Sequence, residues 1–321
     1  MFDGADHNRK LNMKVAGTLP TNERRVNKKA EAKKVDTEED KTIDMTKAME
    51  GCDIVYHTAA TAYEGLSVFS PVLVTRNIFE ASVTTITAAI RNKVKRIVYC
   101  SSMARYGHHD QVPYKEDYEC RPQDPYGIAK KAGEDVLRNL CETHGVEYVI
   151  AVPHNIVGPR QKYDDPFRNV MSIMLNRMLQ GKQPIIYGDG KQQRCFSYID
   201  DCLYCLNALA FQDNVVGEVI NIGPDEEPVT INELAEACAN ETGLNLDPIH
   251  HKDRPKEVKL AVCSSDKARD LLGYSTATNM RQSVKKTAEY IRTRGTKKFQ
   301  YHLPLEIIND QTPDTWKKKL I

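Results

Sequence analysis

Long apolar runs and an excess of either charge are both absent from this chain of 321 residues. No stretch approaches the roughly 18 consecutive apolar residues of a membrane-spanning helix, and the N-terminus lacks a basic-then-apolar export signal. Lysine and arginine number 45 against 44 aspartates and glutamates. The resulting net charge of +1 gives no reason to expect a nucleic acid or a membrane as partner.

A disulfide or zinc pattern of cysteines is also missing. The nine cysteines are scattered and odd in number, which is typical of reduced thiols in a cytoplasmic protein. Cys202 and Cys205 form a C-x-x-C, but no second pair follows at zinc-finger spacing, so we expect them to pack in the core and predict no metal site. The doublets His108–His109 and His250–His251 lack ligand spacing and are predicted to lie in loops.

Glycine is scarce where a dinucleotide site would need it. The 17 glycines form no cluster of the kind that lets backbone amides approach a pyrophosphate at a helix N-terminus. Either Met1–Asp3 ends a second strand whose predecessor is missing, or Met13–Gly17 is a degraded first strand with one glycine. The interval from Gly17 to His57 is short for the strands and helices that must fit between a first strand and His57. We therefore favour the first explanation, in which the first strand and its helix are missing, and we expect weak dinucleotide binding.

The most informative stretch runs from Arg96 to Lys130. Arg96–Cys100 is an apolar, β-branched run typical of a buried strand. It delivers Ser101–Ser102 to its carboxyl end, where open α/β sheets bind ligands. Tyr126 and Lys130 are four residues apart and therefore share one face of a predicted helix. The pattern predicts that a phenol, an ammonium and a serine hydroxyl meet at the mouth of a parallel sheet.

Such a trio suits proton transfer. A tyrosine with a pKa of about 10 is a poor base near neutrality, and a neighbouring ammonium lowers that pKa. The serine hydroxyl can hold the same substrate oxygen. Tyrosine and lysine are common on helices, however, so the spacing alone leaves a purely structural explanation open.

The rest of the chain alternates between strand and helix patterns. Thr230 and Glu233 have the spacing of a capping box, which marks a helix start. Predicted strands are 53–57, 147–152, 184–187 and 217–223, and predicted helices are 45–50, 72–92, 126–144, 169–180, 230–241, 266–272 and 280–294.

The segments Ser101–Gly107 and Pro125–Lys130 resemble the active-site segments of the extended short-chain dehydrogenases. That family includes NAD-dependent nucleotide-sugar epimerases of the UDP-glucose 4-epimerase type and dehydratases. Further segments match in family order, over roughly residues 50–295: His57–Ala60, Pro153–Arg160, Tyr187–Gly190, Arg194 and Arg254–Pro255. The resemblance implies an α/β fold, a Rossmann-like doubly wound parallel sheet with a smaller C-terminal substrate-binding region. We expect an NAD-binding domain at 1–155, which includes the Tyr126 helix, and a mainly nucleotide-sugar-binding region at 156–321.

The resemblance also implies roles for individual residues. Tyr126 would take the proton of a hexose 4-hydroxyl while a hydride passes to NAD, Lys130 would lower the Tyr126 pKa and hold the nicotinamide ribose, and Ser102 would bind the reacting oxygen. NAD would in addition contact Asp3, Asp36, His57, Ala59 and Ala60. The nucleotide sugar would be held by Asn155, Asn169, Tyr187, Arg194, Arg254 and Ala261. The two arginines lie in predicted loops, and guanidinium groups suit a diphosphate.

Departures from the family pattern narrow the activity. Dehydratases of the family carry an acidic pair directly after the catalytic hydroxyl residue, whereas this chain has Met103 and Ala104. This favours epimerisation of a UDP-hexose or UDP-N-acetylhexosamine. Two alternatives stay open: an NAD(P)-dependent sugar-nucleotide reductase or dehydrogenase, and a non-catalytic, for instance RNA-associated, binding protein that has lost its dinucleotide site. In relatives the helices that contain Val72 and Tyr126 pair across a dimer interface, so a homodimer is implied.

Overall fold

A parallel β-sheet forms the centre of the computed structural model, which describes residues 14–15, 44–255 and 257–321. Every neighbouring pair of strands in it is parallel. In spatial order the strands are β1 (Lys14–Val15), β2 (Ile54–His57), β3 (Arg96–Cys100), β4 (Glu147–Pro153) and β9 (Val219–Ile222). Since the strands run the same way, their carboxyl ends meet at one edge, where parallel sheets bind ligands.

Helices cover both faces of this sheet. One face packs against the helices Ala81–Arg91 and Pro125–His144 around Ile97, Tyr99 and Ile150. The other face packs against the helices Ile199–Phe211 and Asp266–Leu272 around Val98, Val149 and Ile220. The predicted α/β, doubly wound class is therefore confirmed. The helices before and around the sheet are α1 (44–48), α2 (Glu64–Ser67), α3 (Pro71–Thr75), a π-helical turn (Arg76–Glu80), α4 (Ala81–Arg91), α5 (Pro125–His144), α7 (Ile199–Phe211) and α9 (Asp266–Leu272).

A second core lies beside the sheet and contains three further helices. They are α6 (Val170–Met178), α8 (Ile231–Thr242) and α10 (Met280–Arg294), and they share a cluster of buried apolar side chains. Short strands surround them: β5 (Ile156–Val157) with β8 (Ser197–Tyr198), β6 (Ile185–Tyr187) with β11 (Ile249–His251), and β7 (Gln193–Arg194) with β10 (Val229–Thr230) and β12 (Leu260–Ala261). The last helix is α11 (Asp314–Lys317). The domain boundary at residue 155 stays a prediction.

Most predicted elements agree with the structure. Helices 266–272 and 280–294 match residue for residue, and the capping box exists, because Thr230 and Glu233 bond reciprocally. The helix predicted at 72–92 is continuous but contains the π-helical turn. The nine cysteines are free, and Cys202 and Cys205 are buried in the core as expected.

Two predictions need correction. His250–His251 lie in β11 rather than in a loop, because Ile249–His251 pair with β6, a contact too distant in sequence to leave a local signal. Arg194 was predicted in a loop but ends the two-residue strand β7. Of the two explanations for the N-terminus, a short strand at Lys14–Val15 does pair with β2, whereas Met1–Asp3 lies outside the described residues. Within the described ranges, no helix has the length and apolar character needed to cross a membrane.

Candidate active site

A cleft of about 370 Å³ opens at the carboxyl edge of the parallel sheet. Ser102 and Tyr126 belong to its lining, and the part that they form is here called the reaction end. Arg194 and Arg254 also line the cleft, and the part that they form is here called the diphosphate end. All six residues predicted to hold the nucleotide sugar line this cleft: Asn155, Asn169, Tyr187, Arg194, Arg254 and Ala261.

Two capping interactions fix the geometry of the reaction end. Ser102 precedes a 3-10 turn (Met103–Arg105), and its hydroxyl accepts a hydrogen bond of 3.2 Å from the Ala104 amide. Asp124 caps α5 by accepting a bond of 2.9 Å from the Gly127 amide, and Pro125 fits the first helical position. The start of α5 is thus defined by its own sequence, which places Tyr126 in the first turn beside Ser102.

The pKa of Tyr126 differs from what the sequence predicted. Burial raises it to about 12, and the Ser102 hydroxyl and the Arg168 charge counteract only part of this effect. The expected lowering by Lys130 is absent here, because the Lys130 ammonium donates to the Cys100 carbonyl at 2.7 Å. Burial also lowers the pKa of Lys130 to about 8. In the free protein, therefore, Tyr126 is protonated and Lys130 is close to losing its charge.

Glu134 stabilises the reaction end through contacts with Ser101 and Arg105, and it was not predicted from the sequence. It lies one helical turn after Lys130 on α5 and is 0% exposed. Its carboxylate accepts a short hydrogen bond from Ser101 and lies 3.0 Å from Nη2 of Arg105, which is also buried. Helix α5 and the loop that carries Ser102 are thereby joined by a buried ion pair. The sequence indicates a role for Glu134 only through its position four residues after Lys130, on the same face of the predicted helix.

The side predicted to face NAD is small and neutral. His57 is fully buried, and its Nε2 lies 2.9 Å from the Ser82 hydroxyl. Burial, with the nearby Lys130 charge, lowers the His57 pKa to about 3, so the ring is neutral. Its Nδ1 has no partner among the described residues. Ala59 and Ala60 follow and are half-buried.

These features fit the nicotinamide end of NAD. Tyr126 and Lys130 carry hydrogen-bond donors near small side chains. Among the described residues, the Lys130 ammonium donates to one acceptor, the Cys100 carbonyl, so further N–H groups are available to a ligand. His57, Ala59 and Ala60 are not among the residues that line the cleft, and Ala60 packs against the buried cluster that contains Tyr126. Asp3 and Asp36, predicted at the adenosine end, lie outside the described residues.

Glu257 joins the two arginines at the diphosphate end. It binds Arg254 through two hydrogen bonds, 2.7 Å from Nε and 2.9 Å from Nη2, and it lies 3.5 Å from Nη2 of Arg194. The Arg254 guanidinium also lies 4.8 Å from the ring centroid of Tyr187. The arginines are therefore pre-aligned next to each other by an acid that sequence reasoning did not single out.

The remaining predicted residues differ in how they face the cleft. Ala261 is buried on β12 opposite Arg194. The side-chain amides of Asn155 and Asn169 donate to the carbonyls of Cys195 and Ile156, respectively. Arg160, which belongs to a matched motif, is exposed and does not line the cleft.

The C-terminal segment supplies part of the wall. Trp316, the single tryptophan of the chain, is 3% exposed and lines the cleft. Its ring packs against Phe69 and Phe167, with ring centroids 6.0 and 5.5 Å apart. The neighbouring Thr315 hydroxyl lies 2.5 Å from that of Tyr187. No local sequence pattern predicts the place of this segment at the cleft.

Comparisons with known proteins agree with this geometry. A protein described as a putative UDP-glucose 4-epimerase from Methanocaldococcus jannaschii is 30% identical over 274 residues, which cover 84% of this chain and 87% of its own. A GDP-mannose 3,5-epimerase from Arabidopsis thaliana is 30% identical over 261 residues, 77% of this chain and 67% of its own.

Solved structures show the same fold. A UDP-glucose 4-epimerase from Thermotoga maritima, in complex with UDP-glucose, has a TM-score of 0.75 at 28% identity and covers 80% of this chain and 83% of its own. A UDP-glucuronic acid 4-epimerase from Bacillus cereus, in complex with UDP-glucuronic acid and NAD, has a TM-score of 0.72 at 28% identity, covering 78% and 79%. Residues 8–223 match the family model described as the NAD dependent epimerase/dehydratase family. This chain belongs to that family.

Proposed function

We propose that the chain is an NAD-dependent 4-epimerase of a nucleotide-diphosphate sugar. The observation that carries the proposal is the lining of the cleft, in which Ser102 and Tyr126 occur together with Arg194 and Arg254. A phenol and a hydroxyl suit proton transfer at a sugar carbon, and two neighbouring guanidinium groups suit a diphosphate. The similarity to solved UDP-sugar 4-epimerases supports this assignment.

The chain's own residues would handle the proton. Tyr126 takes it from the sugar 4-hydroxyl, the 4-keto sugar then rotates so that its other face is presented for hydride return, and Tyr126 gives the proton back to the oxygen of the inverted centre. Ser102 would hydrogen-bond that oxygen at each proton transfer. Bound NAD supplies the acceptor and donor of the C4 hydride and ends unchanged. Lys130 and Tyr126 would hold its nicotinamide ribose, beside His57, Ala59 and Ala60. Because the Tyr126 pKa is about 12 in the free protein, added positive charge at this end is needed before the phenol can act as a base.

The diphosphate end would hold the rest of the ligand. Phosphate oxygens would replace Glu257 as partners of Arg194 and Arg254, which are already aligned by that acid. Tyr187 would flank the base, Asn155 a sugar hydroxyl or phosphate, and Asn169 the nucleotide. Ala261 would leave room beside the 2-substituent of the hexose, so that UDP-N-acetylhexosamines fit as well as UDP-hexoses.

A homodimer in the cytoplasm is part of the proposal. Val72, Phe79 and Ile128 are apolar and exposed, and they lie on the segment of residues 71–91 and on α5, the helices that pair in relatives. Nine free cysteines fit a reducing compartment. Ile128→Asp should convert the dimer to a monomer in light scattering, and an unchanged mass would contradict this interface.

The function is tested by incubating the protein with NAD and UDP-glucose. We expect UDP-galactose by NMR, with no accumulation of reduced cofactor by absorbance, because the cofactor ends unchanged. Reduced cofactor formed in proportion to product would instead indicate a dehydrogenase. Binding of UDP without any turnover would indicate a non-catalytic binding protein.

A further inference from the structure

Glu64 is an acidic residue of the cleft to which the reaction above gives no role. It is the first residue of α2 and lines the cleft, and its side chain is open to it. Within the part of the chain that the structure describes, its carboxylate has no hydrogen bond or ion pair. A carboxylate that faces a binding cleft without a protein partner is available to a ligand.

The backbone of Glu64 is attached to the reaction end. The Ser67 hydroxyl donates to the Glu64 carbonyl at 2.6 Å and lies 3.4 Å from Oδ1 of Asp124. Asp124 is the residue that caps α5 and so places Tyr126. The short helix α2 is thereby fastened to the first turn of the catalytic helix.

The next residue is close to the diphosphate end. A Cβ atom on Gly65 would lie 3.4 Å from Nη1 of Arg254 and 3.6 Å from the Trp316 ring. Glu64 therefore stands between the Tyr126 helix and the arginine pair. A nucleotide sugar that places its diphosphate on the arginines and its C4 at Tyr126 has its sugar ring in this interval.

We propose that Glu64 is a specificity-determining residue that selects neutral, hydroxylated sugars and rejects sugars with a carboxylate. The inference rests on the proposed function, because it takes the ligand of the cleft to be a nucleotide sugar. A carboxylate accepts charge-assisted hydrogen bonds from sugar hydroxyls, whereas a second carboxylate in the same cleft is repelled.

The charges around Glu64 make this effect depend on pH. The pKa of Glu64 is raised to about 7, chiefly by burial and then by Asp124 and Glu257, while Arg194 and Arg254 counteract part of that rise. Once a diphosphate occupies the two arginines, their charge is shared with the ligand, so the Glu64 carboxyl loses its proton only at a higher pH and the selection is strongest in alkaline buffer. Arg168 is the opposing cation of the cleft; it lies 5.7 Å from the Tyr63 ring centroid. If Arg168 governed sugar choice, sugars with a carboxylate would be preferred.

The test uses calorimetry with UDP, UDP-glucose and UDP-glucuronic acid. The proteins are the parent chain, Glu64→Gln and Glu236→Gln, in which Glu236 is an exposed acid of α8 outside the cleft. We expect the parent and Glu236→Gln to bind UDP-glucose about tenfold more tightly than UDP-glucuronic acid, and Glu64→Gln to narrow that ratio to about threefold or less. UDP should bind all three proteins, and Glu64→Gln should bind it at least as tightly as the parent, because Arg194 and Arg254 then have one acid fewer beside them.

The pH dependence gives a second readout. In the parent the preference for UDP-glucose should widen as pH rises through 7, where Glu64 ionises, and in Glu64→Gln it should stay constant. A ratio that Glu64→Gln leaves unchanged while UDP still binds would overturn the proposal, as would a parent that prefers UDP-glucuronic acid. Failure of the parent to bind UDP would instead overturn the proposed function on which this inference rests.

Discussion

The two ends of the cleft are built in different ways. The reaction end comes from one continuous stretch, a buried strand followed by a 20-residue helix, and its key side chains Tyr126, Lys130 and Glu134 are 8%, 2% and 0% exposed. The diphosphate end is assembled from distant segments. Its strands β7 and β12 contain two residues each, and its arginines are half-buried and paired with one acid.

This difference suggests that the rigid reaction end is suited to the chemical step and the diphosphate end to ligand recognition. In the proposed reaction, buried, capped elements would hold the proton-transfer groups in one arrangement, as preorganised catalysis requires. Short strands and half-buried ion pairs contribute little to the stability of the fold, so they can change without unfolding the sheet. The solved relatives fit this division, since one is in complex with UDP-glucose and another with UDP-glucuronic acid on the same fold.

The largest expected effect is at Tyr126. Tyr126→Phe removes one oxygen and leaves the packed ring, so turnover should fall by about 100- to 10,000-fold while the melting temperature stays constant. Tyr290→Phe, at a half-buried position outside the cleft, is the matched control and should retain full activity. Affinity for UDP should be the same in both variants, because the diphosphate end is unaltered. Activity of Tyr126→Phe within a few-fold of the parent would remove Tyr126 from the mechanism.

Glu134 tests whether the reaction end depends on its buried support. Glu134→Gln leaves Arg105 buried without a counter-charge, and breaking such a pair costs about 3–5 kcal/mol of the free energy of unfolding. We expect kcat to fall with KM unchanged, since Ser101 and the adjacent loop lose their anchor but the diphosphate end does not. Denaturant unfolding and steady-state kinetics measure the two effects.

A double variant separates charge from packing at the same place. Arg105→Met combined with Glu134→Gln removes both charges, so part of the lost stability should return relative to Glu134→Gln alone. Additive losses in the double variant would mean that Arg105 and Glu134 act independently and that the ion pair does not hold the loop.

The same contrast explains how much the sequence could predict. The sheet and the positions of Ser102, Tyr126 and Lys130 could be predicted from the sequence, because each depends on local periodicity, caps and spacing. Glu257 and Trp316 were not, because their place at the cleft depends on long-range packing of short segments. The Tyr126 pKa was predicted in the wrong direction, since a spacing of four residues shows proximity but not how deeply the phenol is buried or where the Lys130 donor points.

A smaller effect is expected from the charge on Lys130. Its pKa is about 8 in the folded protein against the ordinary 10.5, so between these values the unfolded chain binds more protons and stability rises with pH. Compared with Lys130→Met, which has no titrating group, the parent should gain about 2–3 kcal/mol over this window. Denaturant unfolding as a function of pH measures the difference. Parallel pH profiles for parent and variant would show that Lys130 is not held in a destabilised charged state.

The smallest expected effect lies at the diphosphate end and concerns a ratio of two substrates. Ala261 is buried, lines the cleft and pairs with Arg194 across β12 and β7. Ala261→Tyr should reduce activity on UDP-N-acetylglucosamine about tenfold more than activity on UDP-glucose, because the added ring fills space that only the larger 2-substituent needs. Ala261→Ser changes the volume little and serves as the control, with both activities retained.

The melting temperature distinguishes pocket filling from overpacking. Inserting a ring into a packed strand costs about 1–3 kcal/mol, and a general loss of stability would lower both activities together. A selective loss at a constant melting temperature therefore assigns Ala261 to the sugar pocket. An equal loss on both substrates, or none on either, would mean that Ala261 only continues the strand, and that sugar size is set elsewhere in the cleft.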